Sequence, residues 1–91
     1  MTNRPTALVT GAGKRIGRAV SMALAKNGWD VAVHYNQSAD EALSLKAEIE
    51  AQGAEAVIVQ ADLLLEDETS SLVERAAEAM KRPLTALINN A

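Results

Sequence analysis

The chain has 91 residues, of which 48% are hydrophobic and 23% charged, with a formal net charge of −3. Such totals describe one ordinary soluble domain with enough apolar side chains for a core. There is no basic block to attract nucleic acid or an anionic membrane, and the absence of cysteine removes disulfides and thiolate metal sites. The apolar stretch in the N-terminal "MTNRPTALVTG" is too short for a signal peptide, and no run approaches membrane-spanning length. A soluble cytoplasmic protein is therefore expected.

Short β-rich runs alternate with longer helical segments. Strands are predicted at Ala7–Thr10, Val31–Tyr35, Ala56–Gln60 and Ala86–Asn89. Their apolar residues run on without alternation, as in parallel strands covered on both faces. The first helical segment carries Ile16, Ala19, Val20, Ala23 and Leu24 on one stripe and stops near Asn27 and Gly28. The second opens at Ser38 with Glu41 three residues later, the spacing of a capping box. It places Ala42, Leu45 and Ile49 on one face and stops at Gly53. The third has Glu66, Asp67 and Glu68 in its first turn, where they suit the helix dipole, followed by Leu72, Val73, Ala76, Ala77 and Met80. Pro83 marks the turn into the last strand. The order βαβαβαβ calls for a parallel sheet with right-handed crossovers.

The segment "LVTGAGKRIGRA" leaves the first strand and opens the first helix. A helix N-terminus offers unpaired N–H groups and a positive dipole end, which favour a phosphate where the backbone can come close. Gly11 and Gly13 permit that approach, and Gly17 lets the helix pack against the strand. The spacing is G-x-G-x-x-x-G, one residue longer than the common dinucleotide fingerprint, and no P-loop Gly-Lys-Ser/Thr occurs at the right offset. The context of a first strand, a glycine turn and a helix points to a nucleotide site.

With these residues in place, the chain resembles the short-chain dehydrogenases/reductases. "TGAGKRIG" is similar to the family's T-G-x-x-x-G-x-G turn, while "ADL" after the third strand and "NNA" after the fourth match an aspartate-bearing turn and an N-N-A-G motif. "TGAGKRIG", "VHYNQS" and "VQADL" most resemble the pteridine-reductase-like branch. The resemblance implies a Rossmann-type parallel sheet of four strands in the order 3-2-1-4 with three helices, an incomplete doubly wound domain. The first two helices would cover one face and the third the other, with a nucleotide in the crevice between strands 1 and 4, where the order reverses. Arg15 departs from the general pattern, which has glycine there. Pteridine reductases carry arginine at this position, near the cofactor pyrophosphate and substrate. A cation in the first turn of a helix is otherwise mildly unfavourable.

A site for NAD normally has a carboxylate at the end of the second strand to hold the ribose 2′-hydroxyl. Here the strand runs into His34, Tyr35, Asn36, Gln37 and Ser38, and the first carboxylate is Asp40. Its absence favours NADP(H) over NAD(H), because an acidic group there would repel a 2′-phosphate. The resemblance implies Lys14, Ser38 and Asn36 as partners of that phosphate. It sets Arg15 and Ile16 by the pyrophosphate, Asp62 on the adenine amino group with Ala61 and Leu63 beside it, and Asn89, Asn90 and Ala91 at the nicotinamide-side ribose. Each residue also has a plainer use. His34 would be a packed strand residue, Tyr35 a cover for the strand end, Ser38 a helix cap and Asp62 a turn former.

The resemblance further implies that proton and hydride chemistry needs a serine or aspartate and a Tyr-x-x-x-Lys pair. Neither arrangement is present: the only tyrosine is Tyr35, followed four positions on by Ala39. No catalytic residue and no metal site are therefore expected in residues 1–91, which read as the N-terminal dinucleotide-binding part of a larger Rossmann domain. The expected function is cofactor binding for an NADPH-dependent reductase of a carbonyl or pterin-like imine, inactive as it stands and a homo-oligomer when complete. The alternative is a stand-alone NADP-binding or regulatory module.

Overall fold

A computed structural model describes residues 4–12 and 15–90, Glu66 through its backbone alone. Gly13, Lys14 and Ala91, all expected at the site, lie outside the described residues. The elements are β1 (Thr6–Val9), α1 (Arg15–Lys26), β2 (Asp30–Tyr35), α2 (Ala39–Ala51), β3 (Ala56–Gln60), α3 (Glu66–Met80) and β4 (Ala86–Ile88). The strands form one sheet in the order β3-β2-β1-β4. Every pairing is parallel, with Leu8 beside Ala32 on one side and Leu87 on the other. This is a Rossmann-type arrangement, and the order reverses beside β1.

Both faces of the sheet are covered, which explains the unbroken apolar runs. Val9, Val31 and Val33 point to the face packed by Ala25 of α1 and by Ala42, Leu45 and Ile49 of α2. Leu8, Ala32 and Val59 point the other way, against Leu72, Ala76 and Met80 of α3. Successive strand residues face opposite sides, so neighbours along β1 serve different helices. The outer strands are less enclosed, and Leu87 on β4 is 53% exposed.

Four expectations need correction. The strand ends shift: Thr6 and Asp30 belong to β1 and β2, whereas Thr10 and Asn89 lie beyond their strands. Thr10 and Asn89 instead bond each other through their side chains, at 3.2 Å. On α1 the buried stripe is Gly17, Ser21 and Ala25, while Ile16 is 71% exposed and Ala19 and Ala23 face outward. Small side chains at this spacing let the helix lie close to the sheet, and closeness rather than apolarity selects the face. Burial of Ser21 leaves no unmet polar group, because its hydroxyl donates to Gly17 O at 2.7 Å.

The capping box on α2 does not form. Ser38 occupies the N-cap position, yet at φ −96° and ψ 62° its side chain makes no capping bond. Those angles differ from the extended geometry that aims a capping hydroxyl at the helix amides. On α3, Val73 is 44% exposed, so the apolar stripe narrows to Leu72, Ala76 and Met80.

An ion cluster closes the end of the sheet where the strands begin. Asp30 is 1% exposed and accepts from Arg4 Nε and from the Glu55 N–H, both at 2.8 Å. The Arg82 guanidinium also bonds Asp30, and its Nε donates to Thr6 Oγ1 at 2.9 Å. One carboxylate thereby joins the entry to β1, the start of β2, the turn before β3 and the segment after α3. None of these partners was apparent from the sequence pattern.

Candidate functional site

The carboxyl ends of the strands open into a cleft of about 440 Å³. Gly11 from the turn after β1, His34 to Ser38 from the end of β2, Asp62 to Leu64 after β3, and Asn90 after β4 line it. Asn90 also borders a hollow of about 460 Å³ shared with Arg15, Ile16 and Glu41. The fold thus gathers most of the expected residues that the structure describes at one rim, with Arg15 and Ile16 to one side. Ala61 is fully buried behind the rim, and Asn89 is exposed beyond β4.

Gly11 takes a left-handed φ of 59°, a conformation open to glycine at little cost. Its N–H is turned inward and donates to His34 Nδ1 at 2.9 Å. The next N–H, of Ala12, donates to His34 O at 3.1 Å. Both amides are therefore spent inside the protein, and Gly11 shapes the turn rather than offering an anion its N–H. Gly17 is buried beneath the same turn. A Cβ on Gly17 would meet Gly11 O most closely, with Asn90 Nδ2 at 2.7 Å and Ala12 Cα at 2.9 Å.

The crevice between β1 and β4 is stapled by side chains. Asn90 N–H donates to Thr10 Oγ1 at 2.8 Å, and Asn90 Nδ2 to Gly11 O at 3.4 Å. Thr10 N–H donates to Ile88 O at 3.0 Å. The two asparagines thus order the glycine turn from the neighbouring strand.

The opposite rim is built from Asn36, Ser38 and Asp62. Gln60 Nε2 donates to Asn36 O at 3.1 Å and to Asn36 Oδ1 at 3.3 Å. With its oxygen held by Gln60, the Asn36 amide presents its donor end elsewhere. The Ser38 hydroxyl is not used for capping and lies on the cleft at the N-terminus of α2. Asp62 does form a turn: its Oδ1 accepts from Leu64 N–H at 2.9 Å. Its own N–H donates to Glu68 Oε1 at 3.1 Å. Sequence reasoning missed Glu68 and Gln60 as supports of the rim. The available signal is the third acidic residue of "EDE", whose side chain supports the rim as well as suiting the helix dipole.

Among the described residues no group of three His, Cys, Asp or Glu could hold a metal ion, and no helix is long and apolar enough to cross a membrane.

A parallel sheet with a reversed order at β1, a glycine turn at that point and a cleft over the strand ends define a Rossmann-type α/β fold. The chain belongs to the short-chain dehydrogenase family, whose model matches residues 5–91 under the description "short chain dehydrogenase". It is 44% identical over 85 residues to a 3-oxoacyl-[acyl-carrier-protein] reductase of Synechocystis, covering 93% of this chain and 34% of that protein. Against the reductase FabG of Staphylococcus epidermidis it is 37% identical over 86 residues, covering 94% and 35%. Among solved structures it is similar to FolM alternative dihydrofolate reductase 1 from Brucella suis in complex with NADP, at 42% identity and a TM-score of 0.85, covering 98% of this chain and 34% of that one. A short chain dehydrogenase from Burkholderia cenocepacia, also in complex with NADP, matches at 42% identity and a TM-score of 0.89, covering 96% and 35%. The chain spans about a third of the length of these relatives.

Proposed function

We propose that residues 1–91 are the cofactor-binding part of an NADPH-dependent short-chain reductase that acts on a small-molecule carbonyl or pterin-like imine as a homo-oligomer. One observation carries the cofactor reading. The end of β2 reaches the cleft with Tyr35, Asn36, Gln37 and Ser38 and no carboxylate, and the Ser38 hydroxyl at the start of α2 is unspent. Such a rim suits a phosphate and offers nothing to grip a 2′-hydroxyl by charge.

In this reading Ser38, the Asn36 amide and Lys14 hold the 2′-phosphate. Asp62 and Leu63 meet the adenine, His34, Tyr35 and Ala61 build the wall behind it, and Gly11, Gly13 and Gly17 leave room for the pyrophosphate beside Arg15 and Ile16. Asn89, Asn90 and Ala91 adjoin the nicotinamide ribose. The bound cofactor would supply the hydride, and this chain's residues bind and orient it. No residue of the chain is assigned a catalytic role.

The NADP-bound FolM and Burkholderia structures support NADPH, and the FolM likeness supports a pterin-like substrate. A 3-oxoacyl thioester is the second reading, favoured by the curated relatives. NADPH consumption by the natural full-length protein, with a dihydropterin in one arm and a 3-oxoacyl thioester in the other, decides between them. Binding without turnover of either would favour a non-catalytic module instead.

Two substitutions test the site. Lys14→Ala is expected to weaken NADPH about tenfold, the worth of one charge-assisted bond, and to leave NADH nearly unchanged. Equal losses in a fluorescence titration would remove Lys14 from the phosphate. Asp62→Ala should weaken both cofactors alike, again by about tenfold, through the adenine contact and the lost Leu64 turn. Unchanged affinity would leave Asp62 as a turn former only.

A further inference from the structure

His34 carries more of the cleft than its buried position in β2 suggests. His34 is 3% exposed, and its ring lies between two backbone groups from different loops. The Gly11 N–H can only donate, so Nδ1, at 2.9 Å, must be the bare acceptor nitrogen. Nε2 must then bear the proton and donate to Ala61 O, also at 2.9 Å. The two partners fix one neutral tautomer. Ala61 N–H in turn donates to Tyr35 O at 3.0 Å. One imidazole therefore spans the turn after β1 and the segment after β3, on either side of the strand that carries it.

The two arms have different consequences. The Nδ1 arm sets the plane of the Thr10–Gly11 peptide, at the entry to the turn whose next carbonyl, Gly11 O, faces the space that the missing Cβ of Gly17 leaves open. If that bond is lost, the inward Gly11 N–H is left without its acceptor in a part-buried setting, and rotating its peptide to rescue it moves the Thr10 carbonyl and changes the left-handed φ of Gly11 on which the turn depends. The Nε2 arm ends on Ala61, which is fully buried and outside the lining of the cleft. Losing it removes a bond from the packing between β2 and β3 while leaving the glycine turn in place.

We propose that His34 is a positioning residue for the dinucleotide: Nδ1 holds the Gly11 turn in its binding conformation, whereas Nε2 serves stability. The inference rests on the reading of this cleft as the cofactor site. Two near-isosteric variants separate the arms. In His34→Asn, Oδ1 replaces Nδ1 as acceptor for Gly11 and nothing reaches Ala61. In His34→Gln, Nε2 can donate to Ala61 O, and no acceptor stands at the Gly11 position.

The experiment measures melting temperature and NADPH affinity for both variants in the natural full-length protein. Both should melt below the unsubstituted protein. His34→Asn should retain NADPH affinity to within about threefold, while His34→Gln should lose about tenfold or more, the worth of one buried bond and its stranded donor. Affinity losses that are equal, or larger in His34→Asn, would overturn the proposal while leaving the cofactor reading intact. Failure of the unsubstituted protein to bind NADPH would overturn both.

Discussion

Replacing Gly17 with alanine is expected to weaken dinucleotide binding on the order of a hundredfold. The new methyl would lie closest to Gly11 O, with Asn90 Nδ2 at 2.7 Å and Ala12 Cα at 2.9 Å. Two of these three atoms are backbone, so no side-chain rotation relieves the clash. Either α1 withdraws from the sheet or the glycine turn moves. Withdrawal would strip cover from Val9 and Val31, which share their core with Ala25 of α1. Movement of the turn would break the bonds from Gly11 to His34 and from Asn90 to Gly11. Overpacking of this kind costs about 3 kcal/mol, and affinity should fall on the order of a hundredfold.

Gly28→Ala is the control. Gly28 has a φ of 91°, and a Cβ there would meet nothing within 4 Å. The substitution should cost about 1–2 kcal/mol of backbone strain and leave cofactor affinity unchanged. Calorimetric titration with NADPH, alongside thermal melts, separates the two effects. Retention of affinity within about threefold by Gly17→Ala would show that the turn tolerates a displacement its geometry forbids.

The second large effect is at the opposite end of the sheet. Asp30→Ala removes the anion shared by Arg4 and Arg82 and leaves the Glu55 N–H without its acceptor. The carboxylate is 1% exposed, whereas the side chains of Arg4 and Arg82 are 32% and 22% exposed. Burial of the acid makes each bond count, and partial exposure of the arginines lets water recover some of their charge. Breaking a buried pair by removing one partner costs about 3–5 kcal/mol, and the exposure of the arginines argues for the lower figure. Asp30→Asn should lose less, since its oxygen can still accept from the Glu55 N–H. Chemical denaturation measures both. NADPH affinity should not change, because the cluster joins the starts of the strands and the cleft lies beyond their ends. A destabilisation of Asp30→Ala below about 1 kcal/mol would mean that the cluster behaves as a surface pair.

Much of the lining of the cleft is legible in the sequence. The continuous run "ALV" with "TGAG" after it describes a buried parallel strand entering a glycine turn, and both features depend on neighbours in sequence. The missing carboxylate after "VHY" is likewise a local fact. What these features could not disclose was which atoms the turn would use. The glycine turn pointed to a ligand for the Gly11 N–H; it faces His34, 23 residues away. Ser38 looked like a cap because its spacing to Glu41 fits one, yet the backbone angles leave its hydroxyl to the cleft.

The error on α1 has the same origin. Ile16, Ala19 and Ala23 make a plausible apolar stripe, but the helix turns Gly17, Ser21 and Ala25 to the sheet. Periodicity reports the amphipathic character of a helix, whereas the distance to its partner decides which stripe is buried. Around the glycine turn that distance is short, and size outranks hydrophobicity.

By itself, then, the sequence determined the alternation of elements, the parallel sheet, the glycine turn and a second strand that ends without a carboxylate, because each follows from patterning within a few residues. Only the tertiary structure decided the seating of α1, the inward turn of the Gly11 and Ala12 amides, the tautomer of His34 and the cluster on Asp30. Those depend on contacts between segments some 22 to 79 residues apart. Hydrogen bonding and close packing at such separations are settled by how the strands register and how near the helices approach, and no local pattern encodes either distance.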